Sequence, residues 1–429
     1  MQIAPLLKKL SEARGVSGYE AEVRGIVTEE FGRYADEVQT DKLGSVIALK
    51  KGDGEEPRRR IMLAGHMDEI GLIVTKLEKG FLRFTSVGGF DVRTLLGQEV
   101  TVHGREDLPG IIGSRPPHVL PREEREKTIP LDKLFIDVGT GKGGLERLVR
   151  VGDLVTLRRE FTQLKGDLVV GKAFDDRAAV AAILVCLEGL ASVRHAWDVC
   201  AVATVQEEVG MRGAITSAYG LAPDAAIAID ATFGDQPGVC ETETVKMGKG
   251  PAIAFGPNVH PRLYEALVEV AKELEIPYQV EPVPGRSGTD AWAIQVTREG
   301  IPTALLSIPL RNMHTSVETV SLKDVERTGR LMAGFIGRLG VGDWKLAIGD
   351  WIFLGGGSGV KGNISGFWSV GLRGRGPRNH HRGHQRPRGR VSRGQHGQPH
   401  RPEAGDGGVQ AQGDGGSSYG RGRIDDNPH

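Results

Sequence analysis

This sequence has little cysteine, few aromatic residues and no long hydrophobic run. Its 429 residues include three cysteines, Cys186, Cys200 and Cys240, which are too few and too widely spaced for a disulfide framework or a CxxC zinc site. We interpret all three as core thiols of a protein from a reducing compartment. No stretch reaches the ~18 apolar residues that cross a bilayer, and the N-terminus lacks the apolar core and cleavage site of a signal peptide. We therefore expect a cytoplasmic protein without a membrane partner.

The net charge is zero, because 55 basic residues balance 55 acidic ones, but the two signs are unevenly distributed. Residues 351–429 contain 12 Lys and Arg against 5 Asp and Glu, so the preceding part of the chain carries an excess of acid. An acidic body is suited to binding divalent cations and gives little reason to expect nucleic acid as a partner.

The chain changes texture at three boundaries, which predicts an α/β domain in two segments, an inserted module and a tail. Residues 1–68 and 168–342 read as helices and strands of one layered α/β domain. Residues 69–167 contain short apolar segments separated by turn signals such as Gly88-Gly89, which predicts a small β-rich module inserted into that domain. Residues 343–429 are rich in Gly, Arg, His and Pro, so we expect a disordered tail, with an out-of-frame translation as the alternative.

Five short motifs place metal-type ligands at or just after the ends of predicted strands. They are Gly65-His66-Met67-Asp68-Glu69, Phe174-Asp175-Asp176-Arg177, Gln206-Glu207-Glu208-Val209-Gly210, Ile229-Asp230-Ala231 and Met313-His314-Thr315. The carboxyl ends of the strands define the ligand crevice in open α/β sheets, so these side chains are expected to meet there. Two histidines with several carboxylates are what a pair of divalent cations requires.

Each of these residues also has a purely structural explanation when it is taken alone. Asp175 and Asp176 could cap a helix, and Glu207 and Glu208 could form a solvated turn. Joint placement of five elements at one sheet edge favours a shared ligand instead. Asp68, two residues after His66, is placed to accept the second ring N–H of that imidazole. The histidines off this edge are interpreted as structural: His103, His118, His195 and His260.

The motifs GHMDEIG, AFDDR, QEEVGMRGA, AIDAT and MHTSVE resemble those of the tetrahedral (TET) aminopeptidases, dinuclear metallopeptidases that include glutamyl aminopeptidases and "cellulase M"-type proteins. The resemblance runs from Leu6 to Leu339 and leaves out the tail. It implies a three-layer α/β/α metallopeptidase domain with a mixed sheet. It also implies that the β-rich module is a dimerisation domain and that dimers assemble into a dodecamer. One departure is Thr315-Ser316 after His314, where Ser-Pro is more usual.

The resemblance also implies a role for each site residue. The implied metal ligands are His66, Asp175, Glu208, Asp230 and His314. Asp175 would bridge two divalent cations about 3.5 Å apart, zinc first, with cobalt or manganese as alternatives. His66 and Asp230 would complete one cation site, and Glu208 and His314 the other. Glu207 would be the general base of peptide hydrolysis, Asp68 would orient His66, and Asp176 would fix the loop.

Several alternatives stay open at this stage. A related two-metal hydrolase, either an acyl-amino-acid deacylase or a carboxypeptidase, would use similar ligands. A glycosidase would need paired carboxylates without histidine ligands, so His66 and His314 argue against it. An inactive scaffold acting through the Arg-Gly tail is the non-enzyme alternative. The segment Arg286–Asp290 is expected to line the substrate pocket, but its sequence leaves acidic, basic and apolar N-terminal residues equally open.

Overall fold

The computed structural model describes residues 1–141 and 143–339, so the tail predicted at 343–429 lies outside the described residues. The described α-helices are α1 (Ile3–Glu12), α2 (Ala21–Gly32), α3 (Leu145–Leu148), α4 (Phe174–Gly189), α5 (Arg212–Leu221), α6 (Pro261–Glu273), α7 (Asp290–Gln295) and α8 (Leu322–Ile336). The described strands are β1 (Glu37–Thr40), β2 (Val46–Lys50), β3 (Arg60–His66), β4 (Gly71–Glu78), β5 (Phe81–Val87), β6 (Glu99–His103), β7 (Asp107–Gly113), β8 (Phe135–Asp137), β9 (Leu154–Leu157), β10 (Thr162–Gln163), β11 (Leu168–Gly171), β12 (Asp198–Thr204), β13 (Ala225–Phe233), β14 (Ala252–Phe255), β15 (Gln279–Pro282), β16 (Thr303–Arg311) and β17 (Glu318–Ser321).

Eleven of these strands form one mixed sheet. Its main path is β1-β2-β12-β3-β13-β16-β17-β11-β10, and β14 joins β16 to β15. The four central strands β12, β3, β13 and β16 are parallel, whereas β2, β17 and β11 run antiparallel to their neighbours. Parallel central strands bring their carboxyl ends to one edge of the sheet, which creates the crevice expected from the sequence.

Helices cover both faces of this sheet. Ile61 and Leu63 of β3 belong to a core shared with α1, α2, α4, α6 and α8, while Met62 and Ala64 belong to a second core shared with α5 and α7. Successive side chains of a strand point to opposite faces, so alternate residues of one strand serve two cores. A strand buried on both sides needs a continuous apolar run, and Ile61–Ala64 supplies one.

The position of α4 is fixed by unusually close packing, and this helix carries Asp175 in its first turn. At Gly329 of α8, a Cβ atom would lie 2.5 Å from the carbonyl oxygen of Ala182, so only glycine allows this approach. The fully buried Arg177 donates hydrogen bonds to the carbonyls of Leu10 and Met67 and pairs with Glu69 at 3.2 Å. These contacts hold the start of α4 against the segment that follows β3.

The remaining six strands close into a barrel in the order β4-β5-β8-β7-β6-β9. Its interior is a separate cluster of buried side chains that includes Leu72, Val100, Ile112, Ile136 and Val155. Alternation of inward and outward residues along short strands produces this small all-β unit. Among the described helices, none is long and apolar enough to cross a bilayer.

The predicted fold class is confirmed for the described residues: a layered α/β unit with a large mixed sheet, together with a small closed all-β unit. The prediction for Cys240 was wrong. Cys186 and Cys200 are buried, but Cys240 is exposed, because it lies in a loop next to the polar segment Glu241–Glu243 and not in an apolar strand or helix.

Candidate active site

The carboxylate of Asp175 lies at the centre of the candidate site and faces two histidines. Its Oδ1 is 3.2 Å from Nε2 of His66, and its Oδ2 is 3.3 Å from Nε2 of His314. Asp230 completes a first group with His66 and Asp175, and Glu208 completes a second group with Asp175 and His314. Within each group the potential ligand atoms lie within 4.8 Å of one another. The structure therefore brings all five predicted ligands together in two groups that share Asp175.

The register of the parallel strands explains why His66, Asp230 and the two glutamates meet. Ala228 of β13 is paired with Ala64 of β3, and Asp230 and His66 follow two residues further along these strands, with ligand atoms within 4.8 Å of each other. Thr204 of β12 is paired with His66, and the chain then leaves the sheet. Gln206 has a left-handed backbone with φ of 56°, which breaks the extended alternation and turns both Glu207 and Glu208 towards the site.

His314 is also positioned by an unusual backbone, with φ of 60°. Left-handed conformations of residues other than glycine are uncommon and often occur at functional sites. A loop that follows β5 packs against this histidine: a Cβ atom on Gly89 would lie 3.3 Å from Nδ1 of His314. The sequence marked Gly88-Gly89 only as a turn, so its approach to the site was not foreseen.

Asp68 links the loops that carry the ligands. Its Oδ1 accepts a hydrogen bond from the backbone N–H of Glu207 at 3.0 Å, and its Oδ2 accepts one from Ser17 Oγ at 2.6 Å. The nearest partner of His66 Nδ1 is the backbone carbonyl of Asp68 at 3.1 Å, with the carboxylate at 3.5 Å. Burial opposes ionisation of Asp68, but contacts with His66 and Ser17 outweigh it and keep the pKa of Asp68 below its usual value.

Two further buried carboxylates support the ligands from behind. Asp176 accepts a hydrogen bond from the backbone N–H of His66 at 3.2 Å. Glu318, the first residue of β17, accepts from the N–H of Asp175 at 3.1 Å with Oε2 and from the N–H of His314 at 2.9 Å with Oε1. Sequence reasoning gave Glu318 no role. Its only signal was its place in the MHTSVE motif, four residues after His314.

The two contacts of Glu318 lead to a testable prediction for Glu318→Gln. The amide of glutamine can accept one backbone N–H, but its NH₂ group would then face the other N–H, donor to donor. Groups that hold metal ligands in place typically contribute 10- to 100-fold to metal affinity, so we expect divalent-cation binding to weaken by about that factor. Competition with a chelating dye measures it. The exposed Glu299 provides the control Glu299→Gln, and equal affinity of Glu318→Gln and Glu299→Gln would contradict this role.

The site has more buried negative charge than its own side chains can balance. Burial raises the pKa of Glu207 to about 10, with Asp230 and Asp290 adding to the rise against the opposing charge of His66. Burial and the charge of Asp175 likewise hold the pKa of Asp230 well above its ordinary range. Oδ1 of Asp176 and Oδ1 of Asp290 are buried without a hydrogen-bond partner among the described residues. Divalent cations would compensate this charge, and a set of imidazoles and carboxylates fits them.

The pKa values of His314 and Asp175 reflect the same excess of buried carboxylates. Burial lowers the pKa of His314, but its contacts with Asp175 and Glu208 outweigh burial and raise the pKa to about 11. For Asp175, burial acts upwards, yet the contacts with His314 and His66 hold its pKa well below the ordinary value. Bound cations would take over the role of these contacts, since a metal ligand must be a neutral imidazole or an ionised carboxylate.

A cavity of about 590 Å³ opens directly onto these residues. This volume lies within the range of sites that bind small ligands. Ser287, Gly288 and Thr289 line it, as do residues of β13, β15 and β16. Of the predicted substrate-pocket segment, Arg286 instead lines a second cavity next to Trp292. Two of the histidines interpreted as structural have local partners. Nδ1 of His103 lies 2.8 Å from Oδ1 of Asp107, and Nδ1 of His195 lies 2.8 Å from the carbonyl oxygen of Trp197.

The open α/β sheet has a buried cluster of histidines and carboxylates at the carboxyl ends of its parallel strands, next to a cavity, which is the usual place of an active site in this class of fold. Residues 44–331 match the family model described as M42 glutamyl aminopeptidase. The chain belongs to this family and is a peptide hydrolase of the aminopeptidase class.

Individual relatives agree with this assignment. The lysyl aminopeptidase of Pyrococcus furiosus is 39% identical over 341 residues, which are 78% of this chain and 96% of that protein. The solved TET aminopeptidase of a Thaumarchaeota archaeon from marine sediment is 40% identical, with a TM-score of 0.75 over 79% of this chain and 96% of that one. The TET1 peptidase of Pyrococcus horikoshii is 34% identical, with a TM-score of 0.69 over 78% of this chain and 99% of that one. The predicted resemblance to TET aminopeptidases is confirmed.

Proposed function

We propose that this aminopeptidase depends on two divalent cations, which are held by His66, Asp175, Glu208, Asp230 and His314. The observation that carries the proposal is that the two oxygens of the Asp175 carboxylate face different histidines. One oxygen faces His66 and the other faces His314, and each histidine belongs to a group with its own additional carboxylate. A single cation would leave one of the two groups unused.

When bound, the two cations, zinc first with cobalt or manganese as alternatives, would polarise the scissile carbonyl and acidify the attacking water. Glu207 supplies the proton transfer in this proposal. Its carboxylate belongs to neither ligand group, lies 4.0 Å from Nε2 of His66 and lines the cavity. With cations bound, their positive charge would offset the burial that raises the pKa of Glu207, so its carboxylate can take the proton of the attacking water and return it to the leaving amine. Asp68 holds Glu207 in place through the backbone of that residue.

The charge of the cavity supports cleavage at a free N-terminus. Acidic residues such as Glu207, Glu243 and Glu281 line it, and no lysine or arginine is found among its described lining residues. A protonated α-amine is attracted to such a cavity, whereas the free carboxylate that a carboxypeptidase recognises would be repelled. Aminopeptidase action is therefore favoured over the carboxypeptidase alternative.

The experiment is hydrolysis of a panel of aminoacyl 7-amido-4-methylcoumarins, each also supplied in an N-acetylated form, by the full chain with and without a chelator. We expect cleavage of the free amines alone, loss of activity with chelator and recovery when zinc, cobalt or manganese is added back. Release of acetate from the acetylated forms would favour a deacylase, release of coumarin from them would contradict the need for a free α-amine, and unchanged activity in chelator would contradict metal dependence.

We also propose that the chain self-associates, with residues 69–167 as the dimerisation module and residues 1–68 and 168–342 as the catalytic domain. Support comes from large apolar side chains that are exposed on the module, namely Leu96, Ile111, Val119 and Val151. The Pyrococcus horikoshii relative is described as assembling into a tetrahedron or a large octahedral shell.

For a dodecamer, light scattering should give a mass about twelve times the 46.1 kDa of one chain. We expect Ile111→Asp to reduce the mass to that of smaller species, because a charge would have to be buried in the contact. Ile215→Asp, at an exposed apolar position of α5, is the control. A monomeric wild-type chain at micromolar concentration would contradict this proposal.

A further inference from the structure

Glu281 is a half-buried carboxylate in the active-site cavity for which the hydrolytic chemistry has no use. It lies on β15, a strand at the end of the β16-β14-β15 branch of the sheet. Ser307 Oγ donates a hydrogen bond to its Oε2 at 2.5 Å, and the hydroxyl of Thr232 donates to its Oε1. Both carboxylate oxygens are thus held in place by hydroxyl groups, and neither of these partners carries a positive charge.

The sheet places this carboxylate next to the metal-type ligands. Ser307 of β16 is the register partner of Asp230 on β13, and Thr232 lies two residues beyond Asp230 on the same strand. The two residues that hold Glu281 therefore flank the position of Asp230. A substrate whose scissile bond lies at Asp175 and Asp230 has its first side chain within the same cavity as Glu281.

Among the described residues that line the cavity, Glu281 has no positively charged partner. Two divalent cations would balance the four carboxylates of Asp175, Glu207, Glu208 and Asp230. Glu281, together with Glu243 at the exposed rim, would then remain uncompensated, and no lysine or arginine is among the described lining residues. A carboxylate that loses its water to a bound ligand without gaining a positive partner is strongly disfavoured.

We propose that Glu281 selects substrates whose N-terminal residue is lysine or arginine, by forming an ion pair with the charged end of that side chain. The inference rests on the proposed aminopeptidase function and specifies its substrate class. An acidic first residue would place two like charges together in the cavity. An apolar one would cover Glu281 without pairing it. The apolar lining from Val280, Val283 and Leu305 suits the methylene stem of a long basic side chain.

The first test uses the wild-type chain with lysyl and norleucyl amidomethylcoumarins, because norleucine has a straight aliphatic chain like lysine but no ammonium group. A charge-assisted contact of this kind strengthens binding about 10- to 100-fold. We therefore expect kcat/KM for the lysyl substrate to exceed kcat/KM for the norleucyl substrate by this factor. Arginyl should follow lysyl, and glutamyl should be the poorest substrate. Equal values for lysyl and norleucyl, or a preference for glutamyl, would overturn the inference while leaving the aminopeptidase function intact.

The second test is Glu281→Gln, which keeps the shape of the side chain and removes its charge. We expect the lysyl-to-norleucyl ratio to fall to near one. Glu265→Gln is the matched control, because Glu265 is exposed on α6 outside the cavity, and it should keep the wild-type ratio. A ratio in Glu281→Gln as high as in Glu265→Gln would overturn the inference. If the wild type cleaves none of these substrates with any of the three metals, the proposed function fails, and this inference fails with it.

Discussion

Asp175→Asn is expected to abolish peptide hydrolysis, with kcat/KM falling about 10⁴-fold, and to leave the chain unable to hold two cations. Asp175 is the one residue shared by both ligand groups. Asparagine keeps a single acceptor oxygen and presents an NH₂ group to the other side. It therefore cannot be a ligand in both the cation site with His66 and the cation site with His314. Because metal polarisation of the carbonyl and the water is worth several kcal/mol, and each ~1.4 kcal/mol is tenfold in rate, a loss of this size follows.

Metal analysis of the purified variant should therefore show fewer than two divalent cations per chain. Asp132→Asn makes the same chemical change on an exposed side chain of the β-rich unit and should retain both cations and full activity. If Asp175→Asn kept two cations per chain and turned over within tenfold of wild type, Asp175 could not be the bridge.

Glu207→Gln is expected to lower kcat by about 10²- to 10⁴-fold, the usual contribution of general acid–base catalysis. Glutamine occupies the same space but cannot take up the proton of the attacking water. Glu207 belongs to neither ligand group, so the number of bound cations should stay at two. The pairing of lost turnover with intact metal content separates this variant from Asp175→Asn.

Glu299→Gln, on the surface, is the control for Glu207→Gln and should behave as wild type. A Glu207→Gln variant that lost metal along with activity would make Glu207 a ligand. One with normal kcat would leave the proton transfer to another group, of which Asp290, also buried near His66, would be the first to examine.

The sequence was most informative where an apolar run ends in a charged or imidazole side chain. Ile61–Ala64 before His66 and Ala225–Ile229 before Asp230 are strands in the structure, and the rule that strand ends share an edge predicted their meeting. The parallel register that places them side by side is a property of long-range pairing. Local periodicity cannot supply this register, because it records only which face a residue occupies.

Glu281 and Glu318 show what local patterns miss. β15 consists of Gln279-Val280-Glu281-Pro282, and a proline with alternating polar residues argues against a strand unless it lies at an edge of a sheet. β17 begins at Glu318 directly after a turn rich in Thr and Ser, so its four residues carried no strand signal of their own. In both cases the carboxylate acquires its role from a residue that is distant in sequence: Ser307 on β16 for Glu281, and Asp175 at the start of α4 for Glu318.

Stepwise restoration of metal tests whether two cations shared through Asp175 make the enzyme active. Chelated, metal-free protein would be titrated with zinc, cobalt or manganese while hydrolysis of the lysyl and leucyl substrates and bound metal are measured together. We expect no turnover without metal and activity that rises until two cations are bound per chain. Metal-free protein that hydrolyses these substrates at the full rate would contradict it.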